Sequence, residues 1–233
     1  AGLRAVERLN PRRPATGSYP VIYDERISSG LVGHFLSAIN GAAITRGSSW
    51  LKDSLGKQVL PSTCKLVENP HRLRAGASRL FDSEGLATKK REILSKGVLN
   101  GWTLDLASAR KLGMRPTANA SRSVSSNPSP TNWNIELSSP EDYCDNLLSE
   151  IRNGLLVTSL IGSTINPNTG DYSRGVSGFW VEDGQICYPV SEITIAGNLK
   201  DMLKKIILGN DAQRHLSYVV PSILVEDMTL AGS

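Results

Sequence analysis

An α+β fold, mainly antiparallel β-sheet with several interspersed helices, is predicted by two hairpin signals and by the helix-like segments that interrupt them. In the first hairpin, Lys90-Arg-Glu-Ile-Leu, Ser95-Lys-Gly97 and Val98-Leu-Asn-Gly-Trp-Thr-Leu place a tight turn between two apolar runs. Phe179-Trp-Val-Glu-Asp-Gly184-Gln-Ile-Cys-Tyr repeats the pattern. Connections this short join antiparallel strands only. Helices interleaved with such hairpins define the α+β class.

In chain order, residues 1–10 read as a helix closed by Asn10-Pro11, with Pro14 preventing its resumption. A strand follows over Tyr19 to Asp24. From Ser28 to about Ala43, Leu31, Val32, Phe35, Leu36, Ile39 and Ala42 recur at helical spacing, so one stripe faces a core. Gly30, Gly33 and Gly41 weaken that helix unless something packs closely on its backbone. Asp105 to Leu112 is a helix capped by Asp105 and stopped by Gly113. Residues 115–130 are polar and proline-rich and read as a mobile loop or linker. Pro140 to Asn153 has Ser139 as a cap, Pro at its first position, acids in its first turn and Gly154 beyond, the signals of another helix. Asn198 to Leu208, closed by Gly209, is the last.

The 233 residues leave one large or two small domains open. With 39% hydrophobic and 21% charged residues, wholesale disorder, collagen and coiled coil are disfavoured. No apolar run approaches the roughly 18 residues that cross a bilayer, and the first residues resemble no secretory signal. The chain opens on Ala1 inside what reads as the end of a helix, so a fragment of a longer protein is expected. Cys64, Cys144 and Cys187 are odd in number and far apart, which favours a reducing compartment, the cytoplasm. Asn119-Ala-Ser121 matches a glycosylation sequon and is read as a polar loop. Residues 1–115 hold 19 Lys and Arg against 9 Asp and Glu, and residues 116–233 hold 7 against 13. A positive half attracts nucleic acid, an acidic partner or a second copy. The scattered cations, Arg12-Arg13, Arg72, Arg74, Arg79 and Lys89-Lys90-Arg91, lack interleaved aromatics, which disfavours nucleic acid.

Short-range catalytic motifs are absent: there is no Cys-x-x-Cys, His-Glu-x-x-His, Gly-x-Ser-x-Gly, phosphate loop or Gly-x-Gly-x-x-Gly. Glu182 and Asp183 belong to a solvated turn, and Cys187 reads as strand packing. His34 lies on the glycine-bearing helix, where a satisfied structural histidine is the plainer reading.

The segments Ser29-Gly-Leu-Val-Gly-His34, Ser49-Trp-Leu-Lys-Asp-Ser-Leu-Gly-Lys57, Phe81-Asp-Ser-Glu-Gly85, Pro128-Ser-Pro-Thr-Asn132, Thr169-Gly-Asp-Tyr-Ser-Arg-Gly175 and Pro189-Val-Ser-Glu-Ile-Thr-Ile-Ala-Gly-Asn198 together resemble the carboxy-terminal part of the TldD/PmbA family, nearest its PmbA (TldE) branch. The resemblance implies that residues 1–18 end a linker helix from an amino-terminal domain outside this chain and that 19–233 form the family's carboxy-terminal domain. It also implies a heterodimer in which a TldD-like subunit is a zinc peptidase with a His-Glu-x-x-x-His motif and a later cysteine ligand, acting on unfolded peptide.

This chain departs from that motif. Ser29 stands at the first His position, Gly30 at that of the general-base Glu, and only the second His survives, as His34. Ile207-Leu-Gly-Asn-Asp-Ala-Gln-Arg-His-Leu216 offers no cysteine. One imidazole does not hold a catalytic zinc, serine is a poor ligand at neutral pH, and glycine accepts no proton. Positions five apart also lie about 140° around a regular α-helix, so the family motif calls for a wider local turn, of which Gly30 and Gly33 are possible relics.

The expectation is a non-catalytic cytoplasmic subunit with no cofactor of its own. Zinc is expected in a TldD-like partner and unfolded peptide as substrate, in peptide maturation and antitoxin degradation; a homodimer is the other assembly when the chain is alone. Two alternatives stand beside it: an autonomous metallopeptidase whose site draws on His34, His71 and Cys64, and a DNA-associated gyrase modulator, a label the family carries.

Overall fold

The computed structural model describes residues 2–140 and 142–232. The α+β class is observed, with sheets mostly antiparallel and few helices. The chain divides into two compact units: Ala1–Ser28 with Asp142–Ala212 and Pro221–Ser233, and Ser29–Glu141 with Gln213–Val220.

The first unit is built on β1 (Gly17–Tyr23), β8 (Asn153–Ile165), β9 (Asp171–Glu182), β10 (Gln185–Asn198) and β13 (Ile223–Ala231). These pair in the order β1-β8-β9-β10-β13, and β13 pairs back onto β1, closing a ring. The second hairpin signal is the β9–β10 turn, where Asp183 and Gly184 hold φ of 46° and 78°, the two positive values that a two-residue turn matched to strand twist requires. Its strands run far longer than the signal itself. Strand alternation sends Tyr23 to one face, where its hydroxyl meets Tyr172 Oη at 3.3 Å and Met228 Sδ at 3.4 Å. Ile22 turns to the other, packing with Leu147, Ile151, Val181 and Leu224.

One helix prediction fails in this unit and another is cut short. Within Pro140 to Asn153 only a 3₁₀ turn forms, Leu147–Glu150, and Glu141 lies outside the described residues. Cys144 N donates to Leu208 O at 3.0 Å, and the Cys144–Gly209 bridge draws residues before the turn into strand-like pairing. Burial of Leu147 and Ile151 against the barrel then outweighs the local cap signals. Gly154 is no helix stop; it is a strand residue where a Cβ would stand 2.5 Å from Pro20 O. The last helix is short, α5 (Leu199–Lys204), because Ile206–Leu208 forms β11 on β13, as suits β-branched residues. The opening helix is also short, α1 (Gly2–Val6), and buries none of its residues.

The second unit carries a five-stranded sheet in the order β12 (Tyr218–Val219), β7 (Ile135–Ser138), β2 (Lys65–Glu68), β3 (Arg91–Ser95), β4 (Val98–Leu99). The β3–β4 hairpin turns on Lys96 and Gly97, at φ 49° and 71°. The predicted Asp105 helix is α4 (Leu106–Leu112), with a capping box between Asp105 and Ser108 and a left-handed Gly113. The predicted 28–43 helix divides into α2 (Glu25–Ala38) and α3 (Gly41–Thr45), because Asn40 turns its side chain to cap Ala42 N at 2.9 Å.

Residues 115–130 are not the loop expected throughout. Ala118, Asn119 and Ala120 are buried, and β5 (Ala120–Ser121) pairs with β6 (Ser129–Pro130). The anchor is Glu68, 1% exposed, whose Oε1 accepts from Asn119 Nδ2, Asn132 Nδ2 and Trp133 N at 3.0, 3.1 and 2.7 Å. Its Oε2 receives Arg91 Nε at 2.5 Å, while the Arg91 terminal nitrogens bond Trp102 O and Thr103 Oγ1. A buried pair with its remaining hydrogen-bonding capacity met in this way is stable in a low-dielectric core. The sequon asparagine is thus fully enclosed.

Candidate functional site

The resemblance directs attention to α2. Residues 25–38 are α-helical without interruption, so no wider turn is present. Ser29 and His34 therefore project about 140° apart. A methyl added to Gly30 or Gly33 would meet nothing within 4 Å, so close packing does not explain these glycines, whereas one on Gly41 would stand 2.5 Å from Ser108 Oγ. Ser29, Gly30 and His34 are half-buried, while Leu31, Val32, Phe35 and Leu36 form the buried face predicted for this helix. The donor set of hydroxyl, hydrogen and one imidazole does not fit a catalytic zinc.

Other candidate donors are not brought together. Cys64 is 1% exposed, the His71 ring meets Thr88 Oγ1 at 3.0 Å, and His215 is exposed. Among the described residues no group of three or more His, Cys, Asp or Glu is placed to hold a metal ion. Glu182 accepts from Trp180 Nε1 at 2.9 Å beside the hairpin turn. Cys187, expected as packing, is exposed, as are Gln185 and Ile186 before it, so neither face of that strand end is covered.

A cavity of about 240 Å³ lies in the first unit, beside the start of α2. Ile22, Leu147, Leu148 and Leu156 give it apolar walls, and Asp24, Glu25, Asp145 and Asp211 give it four carboxyl groups. Asp24 receives Arg26 through two side-chain bonds of 2.6 and 2.7 Å. Burial works against its ionisation, yet the bonds from Arg26 and Glu25 hold its carboxyl below the usual range. Glu25 is pushed up by burial, by its bond to Asp24 and by the charges of Asp24 and Asp211. Asp211 accepts from Ser222 N and Oγ at 2.7 and 2.6 Å, and Asn210 Nδ2 donates to Asp145 at 2.6 Å.

Burial raises the Cys144 thiol, and the neighbouring Glu150 and Asp145 charges add to that, so the reactive thiolate is disfavoured. No histidine lines the cavity. The arrangement presents a negative field without a nucleophile–base pair. Sequence reasoning passed over these residues. The one local signal was the Asp24-Glu25 pair at a helix start; the rest come from segments more than a hundred positions away.

Residues 16–232 match the PmbA/TldA metallopeptidase C-terminal domain. The metalloprotease PmbA of Escherichia coli O157:H7 is 44% identical over 98% of this chain and 49% of that protein. A crystal structure from Bacteroides thetaiotaomicron, described as a candidate modulator of DNA gyrase, superposes with TM-score 0.89 at 31% identity, over 100% of this chain and 51% of that one. TldE from Thermococcus kodakarensis shares the fold, with TM-score 0.84 at 22% identity, over 99% of this chain and 55% of that one. The chain spans about half the length of the relatives it matches.

Proposed function

The chain belongs to the PmbA/TldD metallopeptidase family, and on that premise we propose that it is the carboxy-terminal part of a non-catalytic, TldE-type subunit. Its partner is a TldD-like subunit that carries the zinc and the peptidase chemistry, and its substrates are unfolded peptides. The observation that carries this reading is α2: an uninterrupted helix with serine and glycine where a ligand and a proton acceptor are needed, and its one imidazole about 140° away. The acidic cavity does not replace that site, since its thiol is disfavoured as thiolate and it has no imidazole.

A peptide-handling role is supported by one strand. Among the described residues β8 pairs with β1 only over Leu155–Val157, and its continuation to Ile165 is laddered to β9 alone. The outer side of that stretch offers backbone groups to an extended chain, a mode of binding that tolerates sequence variety. Bulges at Val157/Ser159 and Ile161/Thr164 limit the pairing to short registers. Cys64, Cys144 and Cys187 form no disulfide, which suits a reducing, cytoplasmic setting. Among the described residues no helix is long and apolar enough to cross a membrane.

Mixing the chain with a TldD-like subunit, with each alone as control, tests the proposal by co-purification, bound zinc and peptide cleavage. Co-purification is expected, with zinc and cleavage following the TldD-like subunit. Stoichiometric zinc and cleavage by this chain alone would overturn it. A second reading, association with DNA gyrase, is favoured only by the description attached to relatives such as the Bacteroides protein. Under that reading the chain alters supercoiling by purified gyrase without any protease present.

A further inference from the structure

Between β2 and β3 the chain leaves the sheet, and the excursion is fastened at its neck. Arg79 N donates to Pro70 O at 2.9 Å, and Asn134 Nδ2 bonds both Asn69 O and Ser78 Oγ, at 3.1 and 2.7 Å. Thr88 Oγ1 donates to Arg79 O at 2.7 Å and also meets the His71 ring. The Arg79 guanidinium lies 3.7 Å over the Trp133 ring, and Arg72 reaches the carbonyls of Arg214 and Leu216. A loop tied this often presents its outward side chains in fixed places.

Those side chains are apolar. Leu73 is 91% exposed, Leu80 75% and Phe81 66%. Single exposed hydrophobics are ordinary, but three within nine residues of one fastened loop mark a contact surface. Arg74 is exposed among them, and Arg72 and Arg79, although they fasten the neck, add their charge beside it; the nearby carboxylates are turned to backbone N–H groups. Asp82 is 3% exposed and accepts from Glu84 N, Leu86 N and Ala120 N; Glu84 accepts from Leu106 N. The whole second unit holds 16 Lys and Arg against 8 Asp and Glu. Apolar side chains in a positive surround are complementary to a ligand that is apolar and negatively charged.

We infer that residues 71–81 are a docking surface for extended acidic peptide segments that carry apolar side chains. The inference rests on the peptide-handling reading above and adds the class of peptide. Because the loop is held in place before contact, binding loses little ordering entropy on the protein side. Two of the three apolar side chains are leucines, which do not stack on nucleobases, and Phe81 alone makes no run of stacking platforms, which favours a peptide over a nucleic acid.

Fluorescence anisotropy with the full chain tests this, using three labelled unstructured peptides of equal length: Asp/Glu with Leu and Phe, Asp/Glu with Ser, and Lys with Leu and Phe. The acidic apolar peptide is expected to bind at least about tenfold tighter than either other. The triple variant Leu73→Ser, Leu80→Ser, Phe81→Ser abolishes that advantage, and Arg74→Glu reverses the charge preference, both with unchanged thermal melting. Should the triple variant melt lower, Leu73→Ser alone, at the most exposed of the three positions, gives the same readout. Binding of all three peptides that no loop variant alters overturns the docking surface and leaves peptide handling standing. Failure of every peptide to bind overturns both. Equal displacement by single-stranded DNA overturns the assignment to peptide.

Discussion

In the first unit the ladder β8–β9–β10 is made of strands of 13, 12 and 14 residues; in the second, no strand among the described residues exceeds five. Long ladders satisfy backbone groups by strand pairing, so the interior of the first unit needs few polar side chains, and Tyr23 and Tyr172 are its main ones. The second unit has more loop than ladder, and side chains take over the work of pairing buried backbone. Glu68 receives a backbone N–H, Arg91 and Asn134 reach carbonyls, and Asp82 holds three N–H groups. The difference teaches that a unit poor in strands becomes dependent on a few charged residues.

The largest expected effect follows from that dependence. Glu68→Ala leaves Arg91 buried without its anion and removes the acceptor of two asparagines, a loss of about 3–5 kcal/mol for breaking such a pair. Urea unfolding measures it, and hydrogen exchange locates it. Protection is expected to fall first in residues 65–68, 91–95 and 135–138; an equal fall across 171–198 would break the comparison.

Next comes the barrel's own vulnerable point. A methyl on Gly178 would stand 1.9 Å from Leu156 O, so Gly178→Ala forces β8 and β9 apart. Overpacking of this kind costs up to about 3 kcal/mol. Here the early loss of exchange protection belongs to β8 and β9, the inverse of the Glu68 pattern.

The smallest effect sharpens the acidic cavity. The Glu25 carboxyl titrates above its ordinary value near 4.5. The folded state then holds this proton to higher pH than the unfolded chain does. Its contribution is fully present below that ordinary value and is lost as pH rises through the folded value. At pH 7 the ionised Glu25 opposes Asp24 and Asp211, so Glu25→Gln is expected to raise the melting temperature there. The gain is under about 1 kcal/mol for so open a site, and it shrinks toward zero near pH 4. A lower melting temperature at pH 7 would show that Arg26 outweighs the two acids around Glu25.

Features whose partners are near in sequence were legible. The two-residue turns at Lys96-Gly97 and Asp183-Gly184 and the Asp105 cap with Gly113 depend on contacts a few residues long. The Pro140 helix had equally good local signals and failed, because Cys144 pairs with Leu208 and Leu147 packs on Ile22. Asn119 looked like loop because its partner Glu68 is 51 positions away. The acidic cavity was invisible for the same reason, since Asp24, Asp145 and Asp211 are close only after the barrel forms.

The sequence by itself determined the α+β class and the likeness to this family, and it puts serine at 29 and glycine at 30, since each can be read within a short window of residues. Only the tertiary structure decided that α2 runs without a widened turn, that β13 closes the sheet on β1, and that Leu73, Leu80 and Phe81 stand exposed on a fastened loop. The reason is physical. Local propensities differ by fractions of a kcal/mol per residue, about 1 at most for ordinary residues, while burial of one large apolar side chain contributes about 1.5–3, so contacts between distant segments outweigh local preference where the two disagree.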